Sequence, residues 1–173
     1  MHRNVILIAV LGLLFTTGTA HAEFNPCPGW LADESAPPPA SDNELELSLY
    51  THHWHYSEQH KPVYLIGYDH YLPGGMQCGI SAFTNSYGQP SAYVYIGKLW
   101  ENFWPALPKL TFSLTGGLLY GYVGIHQNSV PLNFHGFSPG AVPDLGYRIT
   151  DKIGLHIYAL YINAVMIGYS QRF

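Results

Sequence analysis

Charged side chains are scarce in this sequence. Aspartate, glutamate, lysine and arginine make up 10% of its 173 residues, whereas a soluble domain usually carries about 25%. A barrel whose outer face meets hydrocarbon can dispense with charge, so the scarcity favours a membrane protein over a soluble domain. The formal net charge is −4, and because nucleic-acid-binding proteins are typically basic, no nucleic-acid partner is expected.

Long hydrophobic runs are missing after the amino-terminal segment. No later stretch approaches the roughly 18 apolar residues that indicate a transmembrane helix. Residues 1–22 combine a basic start at Arg3, an apolar run over 5–15 and the small-residue sequence Ala20-His21-Ala22. This pattern predicts a secretory signal peptide with an A-x-A cleavage site, the alternative being an uncleaved anchor helix. We therefore expect an exported chain without a transmembrane helix after cleavage.

Cysteine is rare, with only Cys27 and Cys78 in the chain. Cys27 lies just after the expected cleavage site but lacks a preceding lipobox, so a lipid anchor is not expected. Export permits a disulfide. Two interpretations stay open: a Cys27–Cys78 bridge, or two unpaired thiols with Cys78 buried.

Proline is concentrated in residues 23–43, where five prolines occur. Because proline interrupts helices and central strands, this segment is expected to be a periplasmic leader or a loose plug. Eight segments after it have the length of strands that cross a bilayer at a tilt, about 9–11 residues, and turn residues separate them. The predicted strands are 45–54, 63–71, 77–84, 92–100, 110–123, 141–149, 153–161 and 165–173.

Hydrophobic and polar side chains alternate along these segments. In the first strand one face holds Leu45, Leu47 and Leu49, and the other holds Glu44, Glu46, Ser48 and Tyr50. Since a charge facing lipid costs several kcal/mol near the bilayer centre, the polar face must point into the barrel. The inward polar positions predict a polar lower lumen; they are Glu44, Glu46, Ser48, Thr111, Ser113 and Thr115.

The last strand has the same two faces and ends on Phe173. Such a segment is typical of the final strand of an outer-membrane barrel, and we expect the barrel-assembly machinery to bind it. Residues 44–173 are therefore predicted to form an all-β fold, an eight-stranded antiparallel transmembrane β-barrel of the bacterial outer membrane. We expect a monomer in the cell outer membrane of a Gram-negative bacterium. The alternative is a soluble, lipocalin-like barrel of eight strands.

An even number of strands places both termini on the periplasmic side. Segments 55–62, 85–91 and 124–140 and the turn near Asn163 are then extracellular, while 72–76, 101–109 and 150–152 are periplasmic. Tyrosine and tryptophan near strand ends are expected to form interfacial girdles. These residues are Tyr50, Trp54, Tyr71, Trp100, Trp104, Tyr120, Tyr122 and Tyr161.

Two segments with reactive side chains fall at the predicted extracellular rim, residues 51–55 and 82–87. A histidine and a serine at one rim can act as general base and nucleophile. The alternative for Ser86 is a turn position in which serine and asparagine satisfy the local backbone. Strict alternation also turns His52, rather than His53, toward the lumen.

The sequence AFTNSYGQPSAYVYIGKLWENFWP, residues 82–105, resembles the PagP family of outer-membrane lipid A palmitoyltransferases, in which an Ala-Phe-x-Asp-Ser-aromatic motif precedes a strand and a tryptophan-rich turn. Residues 50–53 resemble that family's Thr-Trp-His motif in the first strand. The resemblance implies that His53 is the catalytic histidine and Ser86 the catalytic serine, with Asn85 beside them. It also implies acyl transfer from phospholipid to lipid A, both of which are then partners, without a metal or nucleotide.

The chain departs from that family at two places. Asn85 stands where the family has a catalytic aspartate, so the carboxylate that would orient the histidine is missing. Glu58 and Asp69 are the alternative carboxylates; Glu58 is in the right loop and Asp69 near the wrong end. The family's amino-terminal amphipathic helix is also absent, because the proline-rich leader cannot form it.

Six histidines fall on the predicted extracellular side: His52, His53, His55, His60, His126 and His135. Strand spacing can bring His53 and His55 to one face, but the chain has no cysteine pair and no HExxH motif. Solvated loop histidines are preferred over a metal site, and no cofactor is expected.

Two rival functions remain beside the acyltransferase. One is a non-enzymatic OmpX- or OmpA-like structural or adhesion barrel that acts through loop 124–140. The other is a lipid A deacylase-type hydrolase, which would transfer the acyl group to water. The enzyme interpretation predicts a wide apolar lumen that opens laterally near the rim, whereas the structural barrel predicts an interior filled by polar side chains.

Overall fold

A computed structural model describes residues 25–173, so the predicted signal peptide, residues 1–22, lies outside the described part of the chain. The described residues are all-β. The strands are β1 (Asn43–His53), β2 (Leu65–Tyr71), β3 (Met76–Thr84), β4 (Pro90–Trp100), β5 (Leu110–Tyr120), β6 (Phe137–Arg148), β7 (Ile153–Leu160) and β8 (Ala164–Arg172). Short 3₁₀ turns occupy Gly29–Leu31, Pro73–Gly75 and Gly124–Ser129. Among residues 25–173, no helix is long and apolar enough to cross a bilayer.

The eight strands form one closed antiparallel barrel in which each strand pairs with the next and β1 pairs with β8. The predicted eight-stranded antiparallel barrel is therefore confirmed. We call the end with loops 54–64, 85–89, 121–136 and 161–163 the upper end. The opposite end, where the barrel begins and ends, is the lower end.

The two largest differences from the predicted strand boundaries are the end of β5 and the start of β6. β5 ends at Tyr120 instead of residue 123, because Tyr122 adopts a left-handed backbone with φ of 55°. β6 begins at Phe137, not at residue 141, because residues 137–140 also pair with β5, although Pro139 lies among them. Proline has no N–H to donate, so a strand that contains it loses backbone hydrogen bonds on one side. In agreement, β6 pairs with β7 only from Asp144 onward.

The inner and outer faces follow the predicted alternation through the lower half of the barrel. Glu44, Glu46 and Ser48 are buried, whereas Leu45 and Leu47 are exposed. Outward side chains from neighbouring strands form one apolar outer face around the barrel. Its members include Ile66, Ile80, Val94, Leu114, Leu118, Leu155, Ile157 and Ile167.

A β-bulge in β1 changes that alternation in the upper half. The pairing with β8 shifts between Ser48 and Tyr50, so Leu49 and Tyr50 both point outward. The prediction that Tyr50 shares the inward face of Ser48 is therefore wrong. One extra residue reverses the facing of every residue after it, and His53 turns inward, opposite Ala164.

The lower lumen is filled by an ionic network, which we call the polar layer: Glu44, Asp144, Arg148, His156 and Arg172. The Glu44 carboxylate accepts hydrogen bonds from the guanidinium groups of Arg148 and Arg172 at 3.0–3.2 Å. His156 lies 2.8 Å from an Asp144 carboxylate oxygen. The predicted polar lower lumen is confirmed, because all six of the inward polar positions are buried.

The first described part of the proline-rich leader lies against the outside of the barrel at the lower end. Cys27 and Leu31 pack on Leu72 and Cys78. Cys78 faces outward, since its cross-strand partner Ile96 belongs to the outer face. Of the two alternatives for the cysteines, the structure has the Cys27–Cys78 disulfide.

We expect this disulfide to stabilise the barrel by restricting the unfolded chain. Replacing Cys27 and Cys78 together by serine is expected to lower the free energy of unfolding by about 2–4 kcal/mol, because the bridge closes a loop across a sequence separation of 51 residues. Guanidinium unfolding followed by circular dichroism measures the loss. Reductant should weaken the wild type and leave the double variant unchanged; equal unfolding midpoints for both proteins would contradict the prediction.

Candidate active site

His53 and Ser86 meet at the upper end of the barrel. His53 is the last residue of β1, and Ser86 lies in the tight turn between β3 and β4. The His53 ring nitrogen Nε2 is 2.8 Å from the Ser86 hydroxyl oxygen. This distance satisfies the geometric requirement for a base and a nucleophile that act together, while their catalytic roles remain a prediction.

Backbone hydrogen bonds fix the turn that carries Ser86. The Asn85 N–H donates to the Gln89 carbonyl at 2.9 Å, and the Gly88 N–H donates to the Asn85 carbonyl at 2.8 Å. Gly88 has φ of 77°, a conformation that favours glycine. The Lys61 N–H donates to the Ser86 carbonyl at 2.7 Å, which ties the first upper loop to this turn.

The side chain of Asn85 closes its own turn instead of orienting His53. Its Oδ1 accepts the N–H groups of Tyr87 and Gln89 at 3.0 Å each, and its Nδ2 donates to Gln89 Oε1 at 3.2 Å. Asn85 is buried. Asn85 precedes Ser86 in the turn, but the hydrogen bonds that its side-chain amide makes within residues 25–173 join it to Tyr87 and Gln89 of the same turn.

The two alternative carboxylates occupy different places. Asp69 lies inside the lumen, where it accepts hydrogen bonds from the Tyr95 hydroxyl and the Gln77 amide. Glu58 lies in the upper loop, where it lines the same cleft as His53. Each of the two carboxylates therefore lines a space that His53 also lines.

Aromatic side chains surround the pair. The His60 and His53 rings have centroids 4.1 Å apart, and Tyr87 stacks on His126 at 3.8 Å. Tyr122 lies outside the strands and near Ser86; burial raises the pKa of its phenol, and the neighbouring Ser86 opposes that rise. The phenol therefore stays protonated at neutral pH and can donate a hydrogen bond.

Tyr122 is a site residue that sequence reasoning missed. It was expected in the outer aromatic girdle, but it lines the lumen. Tyr71 departs from the girdle in the same way, since it is buried and the Arg172 guanidinium lies 4.8 Å from its ring centroid. No sequence signal identifies Tyr122, because its inward direction depends on the left-handed backbone that ends β5.

A cavity of about 420 Å³ extends from the His53–Ser86 pair into the lumen, a volume within the usual range for small-molecule sites. We call it the acyl cavity, after the acyl chain that the predicted acyltransferase would hold there. Its upper wall is largely apolar, whereas its floor is polar; the apolar side chains include Val63, Leu65, Phe83, Leu119, Val142 and Met166, and the floor includes Glu46, Asp69, Gln77 and Asp144. The interior is therefore neither uniformly apolar nor completely filled.

The barrel wall is incompletely paired at the height of this cavity. β1 pairs with β2 only over Asn43–Ser48, so residues 49–53 have no partner on that side. β6 pairs with β7 only over Asp144–Arg148, which leaves residues 137–143 without a partner on that side. These two gaps interrupt the backbone pairing of the barrel wall.

The clustered histidines do not form an evident metal centre. Across residues 25–173, no group of three or more histidine, cysteine, aspartate or glutamate side chains is arranged to hold a metal ion. His60 instead packs on His53, and His126 on Tyr87. These contacts assign the two loop histidines to the aromatic surroundings of Ser86.

Comparisons with known proteins leave the family open. A scan against models of known protein families finds no match for this chain. A search of the curated proteins finds no similar sequence.

Proposed function

We propose that this protein is an outer-membrane lipid acyltransferase, which transfers a palmitoyl-like acyl chain from a phospholipid to lipid A. The observation that carries the proposal is the 2.8 Å contact between His53 Nε2 and Ser86 Oγ at the top of the acyl cavity. A base, a nucleophile and a space for an apolar chain thus occur together. The sequence resemblance to the PagP family supports the same reaction.

The distribution of apolar side chains supports a location in the membrane. The outer face exposes leucine, isoleucine and valine around the barrel, while the charged side chains of the strands lie in the lumen, except Lys98 near the lower end of β4, as in transmembrane barrels. The upper end would face the cell exterior. The two gaps in the wall would allow an acyl chain to enter the cavity from the bilayer.

The reaction would begin with removal of a proton by His53. Nε2 takes the proton of Ser86 Oγ, or of the acceptor hydroxyl directly, and that oxygen attacks the donor ester carbonyl carbon. Charge develops on the carbonyl oxygen, which hydrogen-bond donors must stabilise. The backbone N–H of Tyr87 is occupied by Asn85, so the Tyr122 hydroxyl beside Ser86 is the better candidate donor.

Collapse of the tetrahedral intermediate would break the donor ester. The departing lysophospholipid oxygen takes the proton held by His53. Where Ser86 is the attacking group, the acceptor hydroxyl then attacks the acyl-serine, and its proton passes through His53 to Ser86 Oγ. The donor loses one ester and the acceptor gains one, with no net change in protons.

Mass spectrometry of lipid A from cells with and without the protein tests this proposal. We expect the wild type to add the mass of one acyl chain and to generate lysophospholipid, and Ser86→Ala to abolish both changes. Unchanged lipid A and phospholipid acylation at normal levels of folded wild-type protein would refute the acyltransferase.

A non-enzymatic structural barrel is the second candidate, because the polar layer fills the lower lumen as such a barrel requires. It predicts no lipid product. Loss of phospholipid accompanied only by free fatty acid would instead indicate the hydrolase.

A further inference from the structure

The direction of the His53 imidazole is not set by a carboxylate in the described part of the chain. Within residues 25–173, the hydrogen-bond partner found for this side chain is Ser86, on Nε2. In a serine–histidine pair, a carboxylate usually holds the other ring nitrogen and keeps the imidazole in its working direction. The Asn85 side chain is engaged in its own turn, and Asp69 is hydrogen-bonded inside the lumen. The ring therefore needs another restraint if it is to stay on Ser86.

His60 covers one face of that imidazole. The ring centroids of His60 and His53 are 4.1 Å apart, and the two ring planes are inclined by 32°. Both side chains are half-buried. The torsion that turns an imidazole about its Cβ–Cγ bond is intrinsically soft, and a second ring packed on one face restricts it because close-packed groups have little room to move. The contact thus limits the His53 ring to directions near the one that meets Ser86.

His60 itself is fixed to the turn that carries Ser86. The His60 N–H donates to the Ser57 carbonyl at 3.0 Å, and the N–H of the next residue, Lys61, donates to the Ser86 carbonyl at 2.7 Å. The Tyr87 ring lies edge-on to His60, with centroids 6.1 Å apart. Because the backbone ties His60 to the Ser86 turn, a ring that packs on His60 is also held relative to the Ser86 hydroxyl.

A stacked imidazole restrains its neighbour without supplying the charge of a carboxylate. A carboxylate both orients the histidine and stabilises the imidazolium that forms when it takes a proton, whereas a stacked neutral ring only orients it. A proton on His60 would oppose the proton that His53 must take, because neighbouring like charges disfavour each other. The neutral form of His60 is therefore the one that supports proton transfer. The other titratable side chains that line the spaces around His53 include His52, His55, Glu58, Tyr87 and Tyr122.

We propose that His60 is the positioning residue of the His53–Ser86 pair and performs, by ring packing, the orienting role of the carboxylate that Asn85 replaces. This assignment rests on the proposed acyltransferase function. His60 acts through His53: it accepts no proton and forms no bond in the reaction. The proton passes between His53 Nε2 and the attacking or departing oxygen.

Two substitutions at position 60 separate ring packing from other roles. His60→Ala removes the ring and is expected to lower kcat for transfer from dipalmitoylphosphatidylcholine to lipid A by about tenfold or more, since a misdirected catalytic group costs this much. The KM for the donor should stay within about twofold of the wild type, because the interaction lost is one made in the transition state. His60→Phe keeps a packed ring without an ionisable group and should recover most of the lost rate.

His135→Asn is the control for loss of a loop histidine, since His135 is exposed in loop 121–136, and it should keep the wild-type kcat. An unchanged kcat in His60→Ala would overturn the role. A loss in His60→Phe as large as that in His60→Ala would overturn it too, because the ring would then not be what matters. A raised KM with an intact kcat would assign His60 to substrate binding and equally refute positioning.

Nuclear magnetic resonance of ¹³C-labelled histidine in micelles tests the contact without turnover. The His53 ring signal, assigned by comparison with His53→Asn, should carry a ring-current shift that His60→Ala removes and His60→Phe keeps. As the pH falls, the wild-type signal should titrate in two steps, because protonation of one imidazole disfavours protonation of the other, and in His60→Phe it should titrate in one. Both signatures without acyl transfer would refute the proposed function and leave the positioning of His53 by His60 standing. Their absence would refute the role of His60, whatever the activity.

Discussion

Replacing Ser86 with alanine will lower the rate of acyl transfer by about 10³-fold or more, and His53→Ala will have an effect of similar size. The two side chains contact each other at 2.8 Å. Removing any one member of such a catalytic unit loses most of the rate enhancement that the unit provides. The double variant is therefore expected to be no slower than the poorer single variant. Initial rates of acyl transfer from a defined phospholipid to lipid A in detergent micelles measure all three.

The same experiment separates a chemical effect from a folding effect. His135→Asn, at an exposed histidine of loop 121–136, should retain the wild-type rate, and each variant should keep the wild-type circular-dichroism spectrum. Additive losses in the double variant would show that His53 and Ser86 act independently. A folded Ser86→Ala protein with more than a tenth of the wild-type rate would exclude Ser86 as the nucleophile. The remaining mechanism would be direct attack of the acceptor hydroxyl on the donor ester.

The pairing of His53 with Ser86 depends on a feature that alternation cannot reveal. The sequence pattern correctly predicted eight strands because inward and outward residues differ chemically along each one. It placed His52 inward, however, because a period of two has no means of representing the extra residue at Leu49. The bulge is set by the pairing of β1 with β8, which joins the first strand of the barrel to the last.

The interior was predictable only in its lower half. Glu44 and Glu46 identified the polar lumen directly, since a charged side chain in a strand that faces lipid is too costly. The acyl cavity is lined by residues from many strands and upper loops, among them Val63, Phe83 and Met166. Each of these is an ordinary apolar residue in sequence, so only the closed barrel shows that they surround one space.

Asn85 illustrates a different limit. Its neighbour relation to Ser86 was evident from the sequence, and it was assigned to the site with His53 by resemblance. In the structure its side-chain oxygen accepts hydrogen bonds from the backbone N–H groups of both Tyr87 and Gln89 and so holds the backbone of the turn. Whether a side chain serves a turn or a neighbouring histidine depends on its direction, which sequence spacing does not determine.

Replacing Glu44 with glutamine will lower the free energy of unfolding by about 3–5 kcal/mol. The carboxylate is fully buried and accepts hydrogen bonds from both Arg148 and Arg172. Removing its charge leaves two guanidinium groups in the lumen without their shared anion, and the loss of one partner from a buried ion pair typically costs this much. Guanidinium unfolding in detergent, followed by circular dichroism, measures the change.

Glu101→Gln is the matched control, because Glu101 also binds Arg172, at 2.7 Å, but has a side chain 55% exposed. An exposed ion pair contributes little, so the control should lose no more than about 1 kcal/mol. Adding Arg148→Met to Glu44→Gln should restore part of the lost stability, since the second substitution removes one unpaired buried charge. Equal losses for Glu44→Gln and Glu101→Gln would mean that the polar layer does not depend on its central carboxylate.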